Sequence, residues 1–251
     1  MRPLLLSTLL AALTLPIAMS QETKPDTVQQ ALSFSKRVQR TVKLDYLLFL
    51  PAEYQTSKSK KWPLLLFLHG AGERGSDVWL VAKHGPPKIV TDKPDFPFIV
   101  VSPQCPTGQT WQNDAVLGLL DEIAKKYRVD KSRVYLSGLS MGGYGSWSLA
   151  LEHPDRFAAV APICGGGDPV KILLADPDKV DALKSLPVWA FHGAKDSVVK
   201  LAESERMVNA LRQFGAAEVN LTVYPNADHD SWTETYNNPK LYEWFLSHQR
   251  K

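Results

Sequence analysis

Residues 133–152, RVYLSGLSMGGYGSWSLALE, constrain this chain more than any other stretch. Val134 to Leu136 is a short apolar run, Gly138-Leu139-Ser140-Met141-Gly142 fits G-x-S-x-G, and Tyr144 to Glu152 continues as a helix until His153-Pro154 stops it. A serine at so sharp a strand-to-helix turn has a strained backbone, and Cβ atoms beside it would collide. Gly138 and Gly142 supply the room. The free N–H groups at the start of the following helix point at developing negative charge. A glycine-rich turn that merely contains a serine needs neither the strand before it nor the helix after it. Ser140 is therefore a candidate nucleophile.

The rest of the chain repeats the same grammar. Thr41 to Leu50 reads as a first strand, and Ala52 to Lys61, rich in serine and lysine, as a solvated hairpin connection. Trp62 to Leu68, Phe98 to Ser102, Val134 to Leu136, Phe157 to Ile163 and Val188 to Phe191 are short runs apolar on both faces, as buried strands require. Val116 to Tyr127 and Leu201 to Phe214 have helical spacing, the second closed by Gly215. Glu218 to Tyr224 is a last strand and Lys240 to Gln249 a closing helix. Strand and helix in alternation predict an α/β fold, a mostly parallel central sheet with helices on both faces. No repeat and no linker divides it, so one domain is expected.

At 251 residues, with 44% hydrophobic and 22% charged, the chain can bury a full core, which excludes wholesale disorder. A formal charge of +3 predicts no electrostatic grip on nucleic acid or anionic membrane. The start differs in character. Met1-Arg2, the apolar run Leu4 to Ile17 and the small residues of Ala18-Met19-Ser20 read as a cleavable signal peptide over 1–20. The run is short for the ~20 residues of a spanning helix, and Pro16 interrupts it, so no stable membrane insertion is expected. Residues 21–39 are assigned to the N-terminal arm and first strand, 40–251 to the catalytic domain, and the expected destination is secreted or periplasmic. Cys105 and Cys164 each follow a strand, and two separate buried thiols are favoured over a bond between them.

A serine hydroxyl needs a base within hydrogen-bond reach, and the base needs an acid to fix its tautomer. Asp196 follows the strand ending in Phe191-His192-Gly193, and His229 follows Leu221 to Tyr224, so both lie on post-strand loops in the order serine, acid, histidine. Asp228 and Asp230 adjoin the histidine too closely and read as loop caps. Asp168, in Gly165-Gly166-Gly167-Asp168, is the second-choice acid. His69, His192 and His153 read as structural, His248 is in the tail, and nothing pairs His84 with an acid. For the oxyanion, the N–H of Met141 is one donor. The second comes from His69-Gly70-Ala71-Gly72, with Ala71 assigned and Gly72 the alternative. Neither a G-x-x-x-x-G-K-[ST] loop nor an H-E-x-x-H pair is present, so nucleotide and zinc chemistry are not indicated, and no cofactor is required.

HGAGERG, GLSMGGYGSW, HGAKDSV and DHDSW in that order resemble the α/β-hydrolase superfamily, over about Arg40 to the C-terminus. Within it, the chain is similar to exported carboxylesterases often labelled predicted peptidases, akin to phospholipase/carboxylesterase, polyhydroxybutyrate depolymerase-like and feruloyl esterase groups. The resemblance implies the α/β-hydrolase fold, catalytic Ser140, Asp196 and His229, and oxyanion donors at Ala71 and Met141. It also implies a strand order in which Cys105 and Cys164 end separated strands. The function expected is ester hydrolysis through an acyl-enzyme, on a small-molecule or carbohydrate-linked ester such as an acetyl or feruloyl sugar. A peptidase without a propeller and a non-catalytic binding protein are the rivals. Trp111 and Trp232 lie where the strands of an open parallel sheet present ligands, and either stack on a substrate ring or pack the loops. Trp79 and His84-Gly85-Pro86-Pro87 are expected to wall the acyl side, and Trp147 to be core.

Overall fold

Every residue from Trp62 to Leu68 is buried, and the run serves two cores at once. Side chains alternate across a strand, so Leu64, Leu66 and Leu68 enter one apolar cluster while Leu65 and Phe67 enter the other. A sheet with helices packed on both sides follows directly from such a segment. The computed structural model describes residues 32–250. Residues 32–41 carry no helix or strand, and the residues from Val42 onward form one α/β unit. The proposed signal peptide and most of the N-terminal arm lie outside the described residues.

The seven strands are β1 (Tyr46–Phe49), β2 (Trp62–Leu68), β3 (Ile99–Pro103), β4 (Val129–Leu139), β5 (Ala159–Ile163), β6 (Val188–Gly193) and β7 (Val219–Tyr224). They lie in the order β1-β3-β2-β4-β5-β6-β7, with β1 antiparallel to β3 and all other pairs parallel. Among the described residues, eight α-helices connect or flank them: α1 (Gly85–Ile89), α2 (Asn113–Lys126), α3 (Met141–Glu152), α4 (Val170–Leu173), α5 (Val180–Ser185), α6 (Ala202–Phe214), α7 (Trp232–Asn237) and α8 (Pro239–Ser247). Apolar residues of α2, α3 and α6, such as Ile123, Trp147 and Met207, build the first cluster, and Tyr236, Leu241 and Phe245 of α7 and α8 the second. Gly215 ends α6 in the left-handed region at φ 91°, as the sequence suggested.

Two expectations need correction. The segment 52–61 is not a hairpin loop, because β1 pairs with β3 and the chain crosses β3 to reach β2. The first strand starts at Tyr46 rather than Thr41, since only Tyr46–Phe49 lies opposite β3 residues. Among the described residues no helix is long and apolar enough to cross a membrane. Cys105 and Cys164 follow β3 and β5, which β2 and β4 separate, and both are free and buried.

The order reverses direction between β2 and β4: the chain leaves β2 toward β3 on one side and leaves β4 toward β5 on the other. In an open parallel sheet, a crevice opens at the carboxyl ends of two such strands. The loops carrying Ala71 and Ser140 emerge from those two ends.

Candidate active site

Ser140 sits between β4 and α3 at φ 52° and ψ −116°, outside the region that L-residues prefer. Such a backbone costs about 1–3 kcal/mol and persists only where its surroundings force it. Here the forcing is close backbone packing. A Cβ on Gly142 would overlap the Leu68 carbonyl, and one on Gly138 would overlap the Gly142 carbonyl, so α3 starts hard against the end of β2. The Ser140 N–H donates to Ile163 O at 3.0 Å, tying the turn to β5. A Cβ on Gly142 would also press on the His69 carbonyl and one on Gly70 on Leu139, so the loops after β2 and β4 pack directly against each other.

Three elements deliver one hydrogen-bonded chain. His229 Nε2 lies 3.0 Å from Ser140 Oγ, and His229 Nδ1 lies 2.8 Å from Asp196 Oδ2. The carboxylate is held from its other oxygen, Oδ1 accepting from the N–H groups of Val198 at 2.9 Å and Val199 at 2.8 Å. Asp196 is buried, while the imidazole of His229 is partly exposed. Asp228 takes a different part. Its Oδ1 accepts from Ser197 N at 2.7 Å and His229 N at 2.8 Å, lacing the loop after β7 to the loop after β6. Donation from the Ser197 backbone and hydroxyl holds its carboxyl below the usual carboxylate range. Asp230 caps α7 through Thr233 N at 3.0 Å, and Asp168 accepts from Val170 N at 3.0 Å. Neither approaches the imidazole in a hydrogen bond.

A cleft of about 590 Å³ opens beside Ser140, lined among others by Met141, Trp111, Tyr144 and Gly145, with Asp168 and Lys171 also on its wall. Trp111 is 9% exposed, so it is no free platform. Its Nε1 donates to His69 O at 3.1 Å, and its ring meets His69 edge-on at 4.9 Å. Trp232 is partly buried at the start of α7, with ring centroids 5.2 Å from His229 and 5.5 Å from His84 in edge-on geometry. Trp79 is 72% exposed, and His84 stands 3.7 Å from the Glu73 carboxylate. Trp147 is fully buried in the core.

His69 pins the loop after β2. Its Nδ1 sits 2.5 Å from Gly70 O while Nε2 accepts the Cys105 N–H at 2.9 Å, a pattern only the neutral ring satisfies. Burial lowers its pKa accordingly. Two neighbours of the site had no local signal. Cys164, at φ 39° just past β5, places its sulfur within 4.8 Å of ligand atoms of Asp196 and His229. Burial pushes this thiol up to about 12, so it stays protonated. His229 Nδ1 and Asp196 Oδ2 are hydrogen-bonded at 2.8 Å, so these three residues read as a packed neutral thiol beside an imidazole–carboxylate pair. The second neighbour is His192, at the end of β6.

Comparison with known proteins gives the family of the chain. The family described as "Putative esterase" matches residues 35–223. "Bifunctional acetylxylan esterase/xylanase XynS20E" of Neocallimastix patriciarum is 30% identical over 200 residues, 72% of this chain and 26% of that protein. The chain thus spans about a quarter of that curated relative. Among solved structures, a thermostable esterase is similar at 33% identity and TM-score 0.68, over 83% of this chain and 60% of that one. A ferulic acid esterase is similar at 25% identity and TM-score 0.63, over 79% of this chain and 89% of that one. A switch-point serine on a strained turn, an α/β-hydrolase sheet and a family match across most of the described residues converge: the chain belongs to this esterase family of the α/β-hydrolase superfamily.

Proposed function

We propose that the chain is an exported serine carboxylesterase that works through an acyl-enzyme. The carrying observation is the 3.0 Å approach of His229 Nε2 to the hydroxyl of a serine held on a strained turn. His229 takes the Ser140 proton as Oγ attacks the ester carbonyl carbon, and Asp196 stabilises the imidazolium that results. The carbonyl oxygen gathers the negative charge beside the N–H groups of Met141 and Ala71, where one donor is worth about 3 kcal/mol. His229 then protonates the departing alkoxide, which leaves as the alcohol. Water, deprotonated by the same imidazole, attacks the acyl-enzyme, and the carboxylic acid leaves as Ser140 regains its proton. No step calls for a cofactor.

The substrate class we favour is an acetyl or feruloyl ester of a carbohydrate. It is supported by the names of two relatives and by the partly exposed ring of Trp232 beside His229. Export is supported by the basic start and the apolar run from Leu4 to Ile17.

Fluorophosphonate labelling of the purified protein tests the chemistry. Ser140-dependent labelling with turnover of p-nitrophenyl acetate is the expected result. Labelling with turnover of peptide anilides but not aryl esters would instead make the chain a peptidase, and no Ser140-dependent labelling would leave a binding protein.

A further inference from the structure

His192 is fully buried one residue before the end of β6, and the proposed reaction gives it no task. Its contacts are not those of a spacer. Nε2 lies 2.9 Å from Val199 O and 3.2 Å from Asp196 Oδ2, the oxygen that His229 Nδ1 reaches at 2.8 Å. A carbonyl oxygen only accepts, so Nε2 carries the proton and directs it to Val199 O, with Oδ2 in electrostatic contact beside it. Val199 in turn donates its own N–H to Asp196 Oδ1 at 2.8 Å. One ring therefore holds the turn 196–199 from outside and touches the carboxylate it encloses. On its far side Nδ1 lies 2.7 Å from Ser204 Oγ in α6, and that hydroxyl lies 3.0 Å from Gly165 O. Ser204 is itself fully buried, so this anchor has no water to compete with it.

We infer that His192 is a positioning residue for the site: a second imidazole on Asp196 that fixes the carboxylate toward His229 and draws part of its charge away. The inference rests on the reaction proposed above, since it assigns a role within that site. The Asp196 carboxylate faces His229, His192 and the neutral Cys164 thiol, with the N–H groups of Val198 and Val199 completing its shell. Asp228 lies beyond Ser197 on the neighbouring loop. Removing the His192 N–H takes away its hold on Val199 O and its 3.2 Å electrostatic approach to Oδ2. The carboxylate then holds the imidazolium more tightly, and the pKa of His229 rises while its aim at Ser140 loosens.

The side-chain lengths of asparagine and glutamine separate this role from simple filling of space. His192→Gln places an amide N–H where Nε2 was, within reach of Val199 O and Asp196. His192→Asn places one only where Nδ1 was, toward Ser204. Two measurements read the pair: the NMR titration of the His229 imidazole, and kcat and KM for p-nitrophenyl acetate across pH. For His192→Asn we expect the His229 midpoint to rise by about half a unit to one unit and kcat to fall about tenfold at little change in KM. For His192→Gln we expect both to stay near the parent values. Ser204→Ala, which frees the far side of the ring, is expected to move the midpoint the same way by less, and it decides the matter if His192→Asn does not fold.

An unmoved or lowered His229 midpoint in folded His192→Asn, or equal behaviour of the Asn and Gln variants, overturns the inference. If His192→Asn does not fold, an unmoved midpoint in Ser204→Ala does so. The titration uses no substrate, so it tests the role of His192 even if the parent protein turns over no ester, an outcome that would sink the esterase reading by itself.

Discussion

His229 Nε2 and Ser140 Oγ stand 3.0 Å apart although 89 residues separate them in the chain. The contact depends on the sheet order that sets the loop after β7 and the turn after β4 on one edge. Because the proposed chemistry passes through this hydrogen bond, Ser140→Ala and His229→Ala are expected to abolish ester turnover without unfolding the protein. Asp196→Asn keeps the side-chain volume but removes the anionic partner of Nδ1, and a fall in kcat of about 10⁴ is expected. Steady-state kinetics beside circular dichroism spectra of each variant would check this. Activity of Asp196→Asn near the parent level would exclude the assigned role.

Two glycines separate close backbone approach from mere helix propensity. A Cβ on Gly142 meets the backbone carbonyl of Leu68, which cannot rotate aside, whereas a Cβ on Gly118 in α2 meets nothing within 4 Å. Gly142→Ala is expected to lose activity and about 1–3 kcal/mol of stability. Gly118→Ala is expected to gain about 0.5–1 kcal/mol, because alanine restricts the unfolded chain and favours the helix. Chemical denaturation of both variants measures the two effects, and like signs would contradict the packing described at the end of β2.

The pH dependence of stability follows from the fully buried His69 and the partly buried His84 and His153. His69 accepts a backbone N–H at Nε2 and must remain neutral, and burial also lowers the pKa of His84 and His153. The ordinary value for a histidine is 6.5, so below that pH the unfolded chain binds protons that the folded chain refuses. Stability is then full above 6.5 and declines as pH falls from there toward the lowered folded values. The carboxylates of Asp130, Glu152 and Glu218 are held below their ordinary values of 3.8 and 4.5, and their loss comes later in acid. His69→Gln keeps an acceptor for the Cys105 N–H but cannot titrate. It is expected to flatten the melting-temperature curve between pH 6.5 and the carboxylate range, a result read directly from calorimetry.

Much of this architecture is written locally, and the remainder is not. Leu64 to Leu68 declares a strand buried on both faces, and the glycines around Ser140 declare a turn, because each signal is carried by adjacent residues. The partner of β1 is decided by which sheet edge is open, which Tyr46–Phe49 does not encode, so the reading of 52–61 as a hairpin failed. Asp196 and His229 could be placed on post-strand loops, yet their distance of 2.8 Å depends on Asp228 lacing those loops and on Gly193 admitting the Ala227 and Asp228 carbonyls. His192 looked like any histidine before a glycine. Only the packing of α6, which brings Ser204 to its Nδ1, gives the ring two anchored nitrogens. Trp111 was legible as a cleft residue by position, but its bond to His69 O and its burial were not.

The cysteines offer a test that does not depend on activity. β3 and β5 are three strand spacings apart in the sheet order, roughly 14 Å at about 4.8 Å each, and a disulfide needs Cα atoms within about 7 Å. Burial raises the pKa of both thiols, that of Cys164 to about 12, so neither supplies thiolate at neutral pH. The native protein is therefore expected to resist a thiol-specific disulfide reagent, and the denatured protein to release two equivalents without prior reduction. Its melting temperature should not change when a reductant is added. A bonded pair would show no free thiol after denaturation, which would require β3 and β5 to lie closer than the parallel pairing through β2 and β4 allows.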